Sequence, residues 1–232
     1  VIQDGIDTEL WKRRPVPRRI GSDVIGDDVR IVTYVARGFE AMRGFDIFVR
    51  VANRIAREMR NVLFVVVGSD RVCYGNDLSH IKTKTFREHV IQMEQPDLTR
   101  FRFLGALPKP QLANLLSMSD LHLYVTVPFV LSWSLLNALA CECTVLASDV
   151  APVREVVEHG RTGLLGDFFD VEGLADQAIR VLRDPMEYRE LGQAGCALIE
   201  REYSLDKAVP QFLSMIEKVK RSERALTSRK FL

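Results

Sequence analysis

VPFVLSWSLLNALACECTVLASD, residues 127–149, is the most informative segment of this chain for predicting its fold. Its pattern predicts the end of a buried strand, a turn in which Ser132 caps a helix, a short apolar helix and a second buried strand. In a parallel α/β sheet, the start of such a helix lies at the carboxyl edge of the strands, where its free N–H groups and its dipole attract anions. We therefore expect a crevice here that binds an anionic ligand, and a diphosphate is the first candidate.

The chain has the size and composition of one globular domain. It contains 232 residues, 47% of them hydrophobic, and carries a net charge of +1. This composition excludes the disordered class, and the length suffices for a sizeable core. Because the near-neutral balance produces no long-range field, we expect no nucleic-acid partner.

The cysteines and the hydropathy indicate where the protein works. Cys141 and Cys143 are too close together and too poorly oriented in the predicted elements to pair, and no C-x-x-C spacing suggests zinc or a redox pair. There is no run of about 18 apolar residues and no signal peptide. We expect reduced thiols and a cytoplasmic location, with peripheral contact at the inner face of the membrane as an extension.

Short β-branched runs alternate with helical patterns over residues 29–204. The predicted strands are Val29–Val35, Val62–Val67, Phe101–Leu104, Leu121–Val125, Thr144–Ala147 and Gly163–Leu165. Most are apolar throughout, as expected of strands that are covered on both faces. The alternation predicts an α/β fold, a doubly wound Rossmann-like parallel sheet in three α/β/α layers.

Apolar spacing at three and four residues predicts the helices. They are Phe45–Met59, Thr83–Met93, Lys109–Ser117, Val171–Leu182, Pro185–Tyr203 and Ser204–Val219. We expect residues 70–95 to pass over the crevice, because they follow the carboxyl end of a strand. Residues 1–28 are predicted to be an entry segment or linker, and residues 205–232 a C-terminal helix with a basic tail.

Two arginines follow the first predicted strand, in ARGFEAMRG at residues 36–44. Arg37 and Arg43 would lie at the carboxyl edge of the sheet, and a guanidinium group matches a phosphate with two parallel hydrogen bonds. The alternative is that both are surface residues paired with Glu40 and Asp46.

For Ser132 the alternative is a helix cap without a ligand. For Trp133 the interpretations are an indole packed in the core, which we favour, and a platform that stacks on a base.

These features, in this order, resemble the glycosyl transferases group 1 family, retaining enzymes with two Rossmann-like domains in the GT-B architecture. The resemblance covers residues 1–204 and is to the C-terminal half, which binds the nucleotide sugar. Further matching segments are VIQDGID (1–7), VVVG (65–68), FLG (103–105), PVREVV (152–157) and HGRTGLL (159–165).

The resemblance implies a function and a set of site residues. The reaction is transfer of a hexosyl group from a nucleoside diphosphate sugar to a hydroxyl acceptor, without a metal or another cofactor. Arg37, Gly38 and Arg43 would bind the diphosphate together with the helix start at Ser132 and Trp133. Asn137 would contact the ribose. No catalytic residue is assigned.

Three positions depart from the family pattern. Asn137 and Phe129 stand where the family usually has glutamates, and Glu142 stands where it usually has glycine. The amide of Asn137 keeps an acceptor oxygen but loses the charge, and a side chain at Glu142 is expected to disfavour a left-handed helix cap. Two explanations remain open: a sub-family with altered contacts, or a non-catalytic binding or scaffold module of the same fold. A dinucleotide-dependent oxidoreductase is disfavoured because no G-x-G-x-x-G follows the first strand.

The resemblance also implies partners. The acceptor-binding half is expected to lie outside this chain, which alone would turn over nothing. The last helix would then leave apolar side chains from Phe212 to Val219 uncovered, as a surface for a partner or for self-association. Two basic segments, Trp11–Arg19 and Lys218–Lys230, are either solvated or in contact with anionic lipid headgroups.

Overall fold

The chain folds around a six-stranded parallel sheet. The computed structural model describes residues 3–229, with side chains through residue 220. A small antiparallel pair, β1 (Arg19–Ile20) with β2 (Asp23–Val24), precedes the sheet. The sheet strands are β3 (Arg30–Gly38), β4 (Val62–Ser69), β5 (Phe101–Phe103), β6 (Leu121–Tyr124), β7 (Val145–Ser148) and β8 (Leu164–Gly166). Their order is β5-β4-β3-β6-β7-β8, which confirms the predicted fold class.

Helices connect these strands on both faces. They are α1 (Phe45–Glu58), α2 (Phe86–Glu94), α3 (Lys109–Ser117), α4 (Trp133–Ala140), α5 (Ala151–Arg154), α6 (Val171–Arg183), α7 (Arg189–Leu198) and α8 (Leu205–Arg229). The predicted helices are confirmed, with three changes of boundary larger than one residue. The helix predicted from Thr83 begins at Phe86. The helix predicted from Pro185 begins at Arg189 and ends in a π-helical turn over Ile199–Tyr203, and α8 continues beyond Val219.

Two apolar layers enclose the sheet. On one face α1, α2 and α6 contribute buried side chains such as Phe48, Val90 and Ile179, which pack with Tyr34 and Phe64 of the sheet. On the other face α3, α4 and the π-helical turn contribute a second cluster, including Leu116, Leu136 and Ile199. The strands are mostly apolar because helices cover both faces, and the polar side chains Thr33 and His122 are buried among them.

The segment before β3 packs onto the same core. Ile6 is 4% and Trp11 is 6% exposed, and both belong to the cluster around α4. The N–H of Ile6 donates to the carbonyl of Tyr203 at 2.7 Å, and the N–H of Leu205 donates to the carbonyl of Ile6 at 2.9 Å. The entry segment is therefore tied to the start of α8.

Helix α4 ends in a left-handed turn despite the glutamate. Glu142 has a φ of +56°. Its N–H donates to the carbonyl of Leu139 at 2.9 Å, and the N–H of Cys143 donates to that of Ala138 at 3.0 Å, which is the Schellman pattern. The side chain expected to disfavour this cap does not prevent it, because these two hydrogen bonds and the burial of Cys143 hold the turn.

One side of α8 is uncovered. Leu205, Val209, Leu213, Ile216 and Val219 are each 43–56% exposed, and the predicted apolar surface on the last helix is confirmed. Among the described residues, no helix is both long enough and apolar enough to cross a bilayer.

Candidate functional site

A cavity lies where β3 and β6 run side by side. The chain leaves β3 toward one edge of the sheet and leaves β6 toward the other, so this is the topological switch point at which open α/β sheets bind ligands. The cavity has a volume of about 50 Å³. Its polar lining consists of Arg37, Arg43, Tyr74, Tyr124, Ser132 and Ser134. The fold thus brings together Arg37, Arg43 and Ser132, three of the residues that the sequence predicts for the site.

Arg43 lies at the base of the cavity and is only 9% exposed. It ends a 3-10 turn, Ala41–Arg43, and its carbonyl accepts the hydroxyl of Tyr34 at 2.8 Å. Its Nη1 donates to Oη of Tyr124 at 3.4 Å. Among residues 3–220, no carboxylate forms an ion pair with it, so a desolvated positive charge faces the cavity.

Gly44 makes this turn possible. Its φ is +62°, and a Cβ there would lie 2.9 Å from the carbonyl oxygen of Val125. The absence of a side chain at this position therefore allows the Arg43 turn to approach the end of β6 closely.

Two aromatic rings compensate the charge of Arg43 in part. Its Cζ lies 4.7 Å from the ring centroid of Phe129 and 5.4 Å from that of Tyr74, within the range of cation–π attraction. Arg37 is exposed and approaches Tyr74 from another direction, with Nη1 3.4 Å from the Tyr74 hydroxyl. This hydrogen bond raises the pKa of Arg37.

The alternative pairing of the two arginines with nearby carboxylates is wrong. Glu40 is fully buried, and its Oε2 accepts the N–H groups of residues 73, 74 and 75 at 3.2, 2.8 and 2.8 Å. Asp46 lies 3.7 Å from Nη2 of Arg50, and burial raises the pKa of its carboxyl. Sequence reasoning misses the role of Glu40, and no local pattern signals it, because its partners lie more than thirty residues away.

The start of α4 contributes two hydroxyls to the cavity. Oγ of Ser132 accepts the N–H of Ser134 at 3.3 Å, and the two hydroxyl oxygens are 2.9 Å apart. The predicted cap is therefore confirmed. Because both serines line the cavity, the positive end of the helix dipole points toward it.

The other predicted site residues lie outside the cavity lining. Trp133 is 60% exposed and donates its Nε1–H to Asp4 at 2.8 Å, so the expectation of a core indole is wrong. Asn137 is buried one turn further along α4. Gly38 lies where the next loop passes, and a Cβ there would be 2.3 Å from the carbonyl oxygen of Arg71.

The remaining titratable residues have structural contacts. Nδ1 of His159 accepts the N–H of Leu165 at 3.0 Å, and Glu155 accepts the amide of Gln3 at 2.8 Å. All four cysteines are free thiols, and burial raises the pKa of Cys141 to about 12. In the part of the chain that the structure describes, no three His, Cys, Asp or Glu side chains are grouped so that they could hold a metal ion.

Part of the first basic segment, Trp11–Arg19, makes hydrogen bonds within the chain. Arg14 donates to the carbonyls of Glu9 and Leu10, and Arg18 donates to that of Val29. The second basic segment, Lys218–Lys230, lies mostly beyond residue 220 and so outside the described side chains.

Comparisons with known proteins agree on one family. Residues 19–197 match the family model of glycosyl transferases group 1. Alpha-maltose-1-phosphate synthase of Mycolicibacterium smegmatis is 30% identical over 228 residues, which cover 94% of this chain and 56% of that protein. N-acetyl-alpha-D-glucosaminyl L-malate synthase of Bacillus anthracis is 26% identical over 219 residues, covering 94% and 53%.

Solved structures share the fold. Sucrose-phosphate synthase from Thermosynechococcus elongatus superposes with a TM-score of 0.79 at 23% identity, over 95% of this chain and 52% of that one. Anabaena HepE, crystallised with UDP-glucose, superposes with a TM-score of 0.74 at 18% identity, over 94% and 57%. The chain spans about half the length of these relatives.

Proposed function

Since the chain belongs to the glycosyl transferases group 1 family, we propose that it is the nucleotide-sugar-binding part of an enzyme that transfers a hexosyl group from a nucleoside diphosphate sugar to a hydroxyl acceptor. The observation that carries this proposal is the convergence of Arg37, Arg43 and the start of α4 on one cavity at the switch point of the sheet. Two cations and a helix dipole at one place favour a doubly charged anion.

In the proposed reaction these groups act on the leaving diphosphate. As the bond between the anomeric carbon and the phosphate oxygen breaks, negative charge grows on the nucleoside diphosphate. Arg43 is buried and held by Tyr124 and two aromatic rings, so its charge is in place before the reaction begins. The exposed Arg37 would bind the outer face of the same diphosphate. These groups would neutralise the charge of the leaving nucleoside diphosphate, so the proposed reaction requires no metal ion.

The acceptor and the residues that contact it belong to a second part of the proposed enzyme. The apolar side of α8 is one surface on which such a part, or a second copy, would pack. Contact of the basic segment with anionic lipid remains part of the proposal, with Arg13 and Arg19 as the arginines that have no described side-chain partner.

A thermal-shift titration tests the proposal directly. A ligand that binds only the folded state stabilises it by about 2.7 kcal/mol at a hundredfold excess over Kd. We expect UDP, GDP or ADP, and the corresponding sugars, to raise the melting temperature in a saturable way. AMP and inorganic sulphate are the matched controls, and they should shift it little. Equal shifts with all of these anions would contradict a diphosphate site.

The second candidate function is a non-catalytic module that kept the fold. The observation that favours it is the loss of carboxylates at Phe129 and Asn137, where the family usually has glutamates. Asn137 is 8% exposed, and its amide offers a neutral acceptor to the ribose instead of a charged one. Replacing a charge-assisted hydrogen bond by a neutral one weakens it by roughly 1 kcal/mol.

Asn137→Glu discriminates between the two functions. If the site has decayed, the restored carboxylate should tighten nucleoside diphosphate binding about fivefold, as roughly 1 kcal/mol predicts. Calorimetry with the diphosphate that binds best measures this. Asn137→Gln is the matched control, since glutamine has the same length as glutamate but carries no charge. Unchanged affinity in the glutamate variant would indicate altered contacts in a working site.

A further inference from the structure

The cavity is narrow, and Tyr74 is one of the aromatic side chains that line it. Its volume of about 50 Å³ is far below the roughly 300–1,000 Å³ of pockets that hold small-molecule ligands. Tyr74 lines the cavity and packs against both guanidinium groups, with its ring centroid 6.0 Å from Cζ of Arg37 and 5.4 Å from Cζ of Arg43. The ring thus takes up space through which a diphosphate would reach both cations.

A second ring from a different loop holds Tyr74 in this position. The centroids of Tyr74 and Phe129 are 5.2 Å apart, with an angle of 50° between the ring planes. Phe129 lies after β6 and Tyr74 after β4, so the pair closes a gap between two separate loops. Both rings also contact the Arg43 guanidinium. The contact therefore packs both rings against Arg43, while Tyr74 also lines the cavity.

The movable part is the Tyr74 side chain, because its backbone is anchored. The three hydrogen bonds from residues 73–75 to Glu40 hold the loop, and the close approach of Arg71 to Gly38 holds it from the other side. The Tyr74 side chain is 44% exposed and can rotate into solvent. Rotation of this one side chain, without loop movement, would widen the cavity.

We propose that Tyr74 and Phe129 form an aromatic gate that positions Arg43 and closes the diphosphate cavity until the donor displaces the Tyr74 ring. This inference rests on the proposed function, since the donor is the ligand that opens the gate. Phe129 is in this view a positioning residue that acts through Tyr74 and Arg43. The gate reduces the population of the binding-competent form and slows entry accordingly.

Phe129→Leu removes the ring and keeps an apolar side chain. The loss of one aromatic pair should raise the association rate of the nucleoside diphosphate that the wild type binds best, UDP, GDP or ADP, about 3- to 10-fold with little change in the dissociation rate. Stopped-flow fluorescence of the exposed Trp133 at the start of α4 follows binding. Tyr74→Phe is the matched control, since it keeps the ring and should change the association rate less than twofold.

A measurement without nucleotide separates the gate from the proposed function. Phenylglyoxal modifies accessible arginines, and peptide mass spectrometry gives the rate for Arg43 relative to Arg37 in the same chain. We expect this ratio to rise severalfold in Phe129→Leu and in Tyr74→Ala, but not in Tyr74→Phe. An unchanged ratio in both variants overturns the gate. If no nucleoside diphosphate binds the wild type, the proposed function fails, while the modification ratio still decides whether the rings cover Arg43.

If Phe129→Leu accelerates dissociation and leaves association unchanged, the ring contacts the bound donor and the gate is likewise overturned. Thermal unfolding of each variant checks that the fold is retained, and both readouts compare variants that melt within a few degrees of the wild type.

Discussion

Replacing Arg37 and Arg43 together by alanine is expected to abolish measurable binding of nucleoside diphosphates. Each guanidinium would make hydrogen bonds between two charged groups, which contribute roughly 1.5–3 kcal/mol apiece. Removing both should weaken binding by about 3–6 kcal/mol, a factor of roughly 150 to 20,000. Isothermal titration calorimetry with UDP, GDP and ADP measures the change.

Arg43→Met is the sharper single variant. Methionine fills much of the same volume as arginine but carries no charge. A loss of binding would therefore be caused by the missing charge and not by collapse of the cavity. Arg43 is buried without a carboxylate partner among residues 3–220, so removing its charge leaves no buried carboxylate unpaired, and we expect the ligand-free fold to persist.

Arg50→Ala is the matched control for the arginine variants. Arg50 is a surface arginine on α1, paired with Glu94 at 2.8 Å, and its loss should leave affinity unchanged. Wild-type affinity in Arg43→Met would remove the site assignment.

Mild acid is expected to destabilise the fold through a single histidine. His122 in β6 is completely buried, and Nδ1 lies 2.9 Å from the hydroxyl oxygen of Thr33. Burial lowers the pKa of His122 from 6.5 to about 3. Nε2 is buried and has no hydrogen-bond partner among the described residues, so a proton added there would be left unsolvated.

The direction of the pH effect follows from this depressed pKa. Below pH 6.5 the unfolded chain takes up a proton on this ring and the folded chain does not, so the free energy of unfolding falls as the pH falls. The contribution of His122 to the free energy of unfolding is present above pH 6.5 and is lost progressively as the pH falls toward 3. Between pH 6.5 and pH 5 the loss amounts to about 2 kcal/mol. Urea unfolding at a series of pH values measures it, in a range above the titration of ordinary carboxyl groups.

His122→Asn is the control for this prediction. Asparagine keeps a polar group near the Thr33 hydroxyl and cannot titrate, so its unfolding free energy should vary by about 2 kcal/mol less over the same pH range. NMR titration of the ring protons gives an independent check in the wild type. Ring signals assigned to His122 that titrate near pH 6.5 in the folded state would contradict the prediction.

Local sequence patterns are sufficient to predict the layout of the fold. Six apolar strands, the alternating helices and the Ser132 cap follow from local patterns, since strand and helix periodicity and capping depend on residues a few positions apart. The sheet edge at which the cavity lies follows as well, because helix starts and strand ends meet at one edge of any parallel sheet. The negative charge of the ligand stays a prediction.

Tertiary structure alone decided what surrounds the arginines. Glu40 anchors residues 73–75, Tyr74 meets Phe129 over Arg43, and Trp133 turns outward to Asp4. Each contact joins residues that are more than thirty positions apart in the chain. Such contacts depend on strand order and on loop paths, which local propensity does not encode, so the burial of Arg43 and the closure of its cavity follow only from the folded chain.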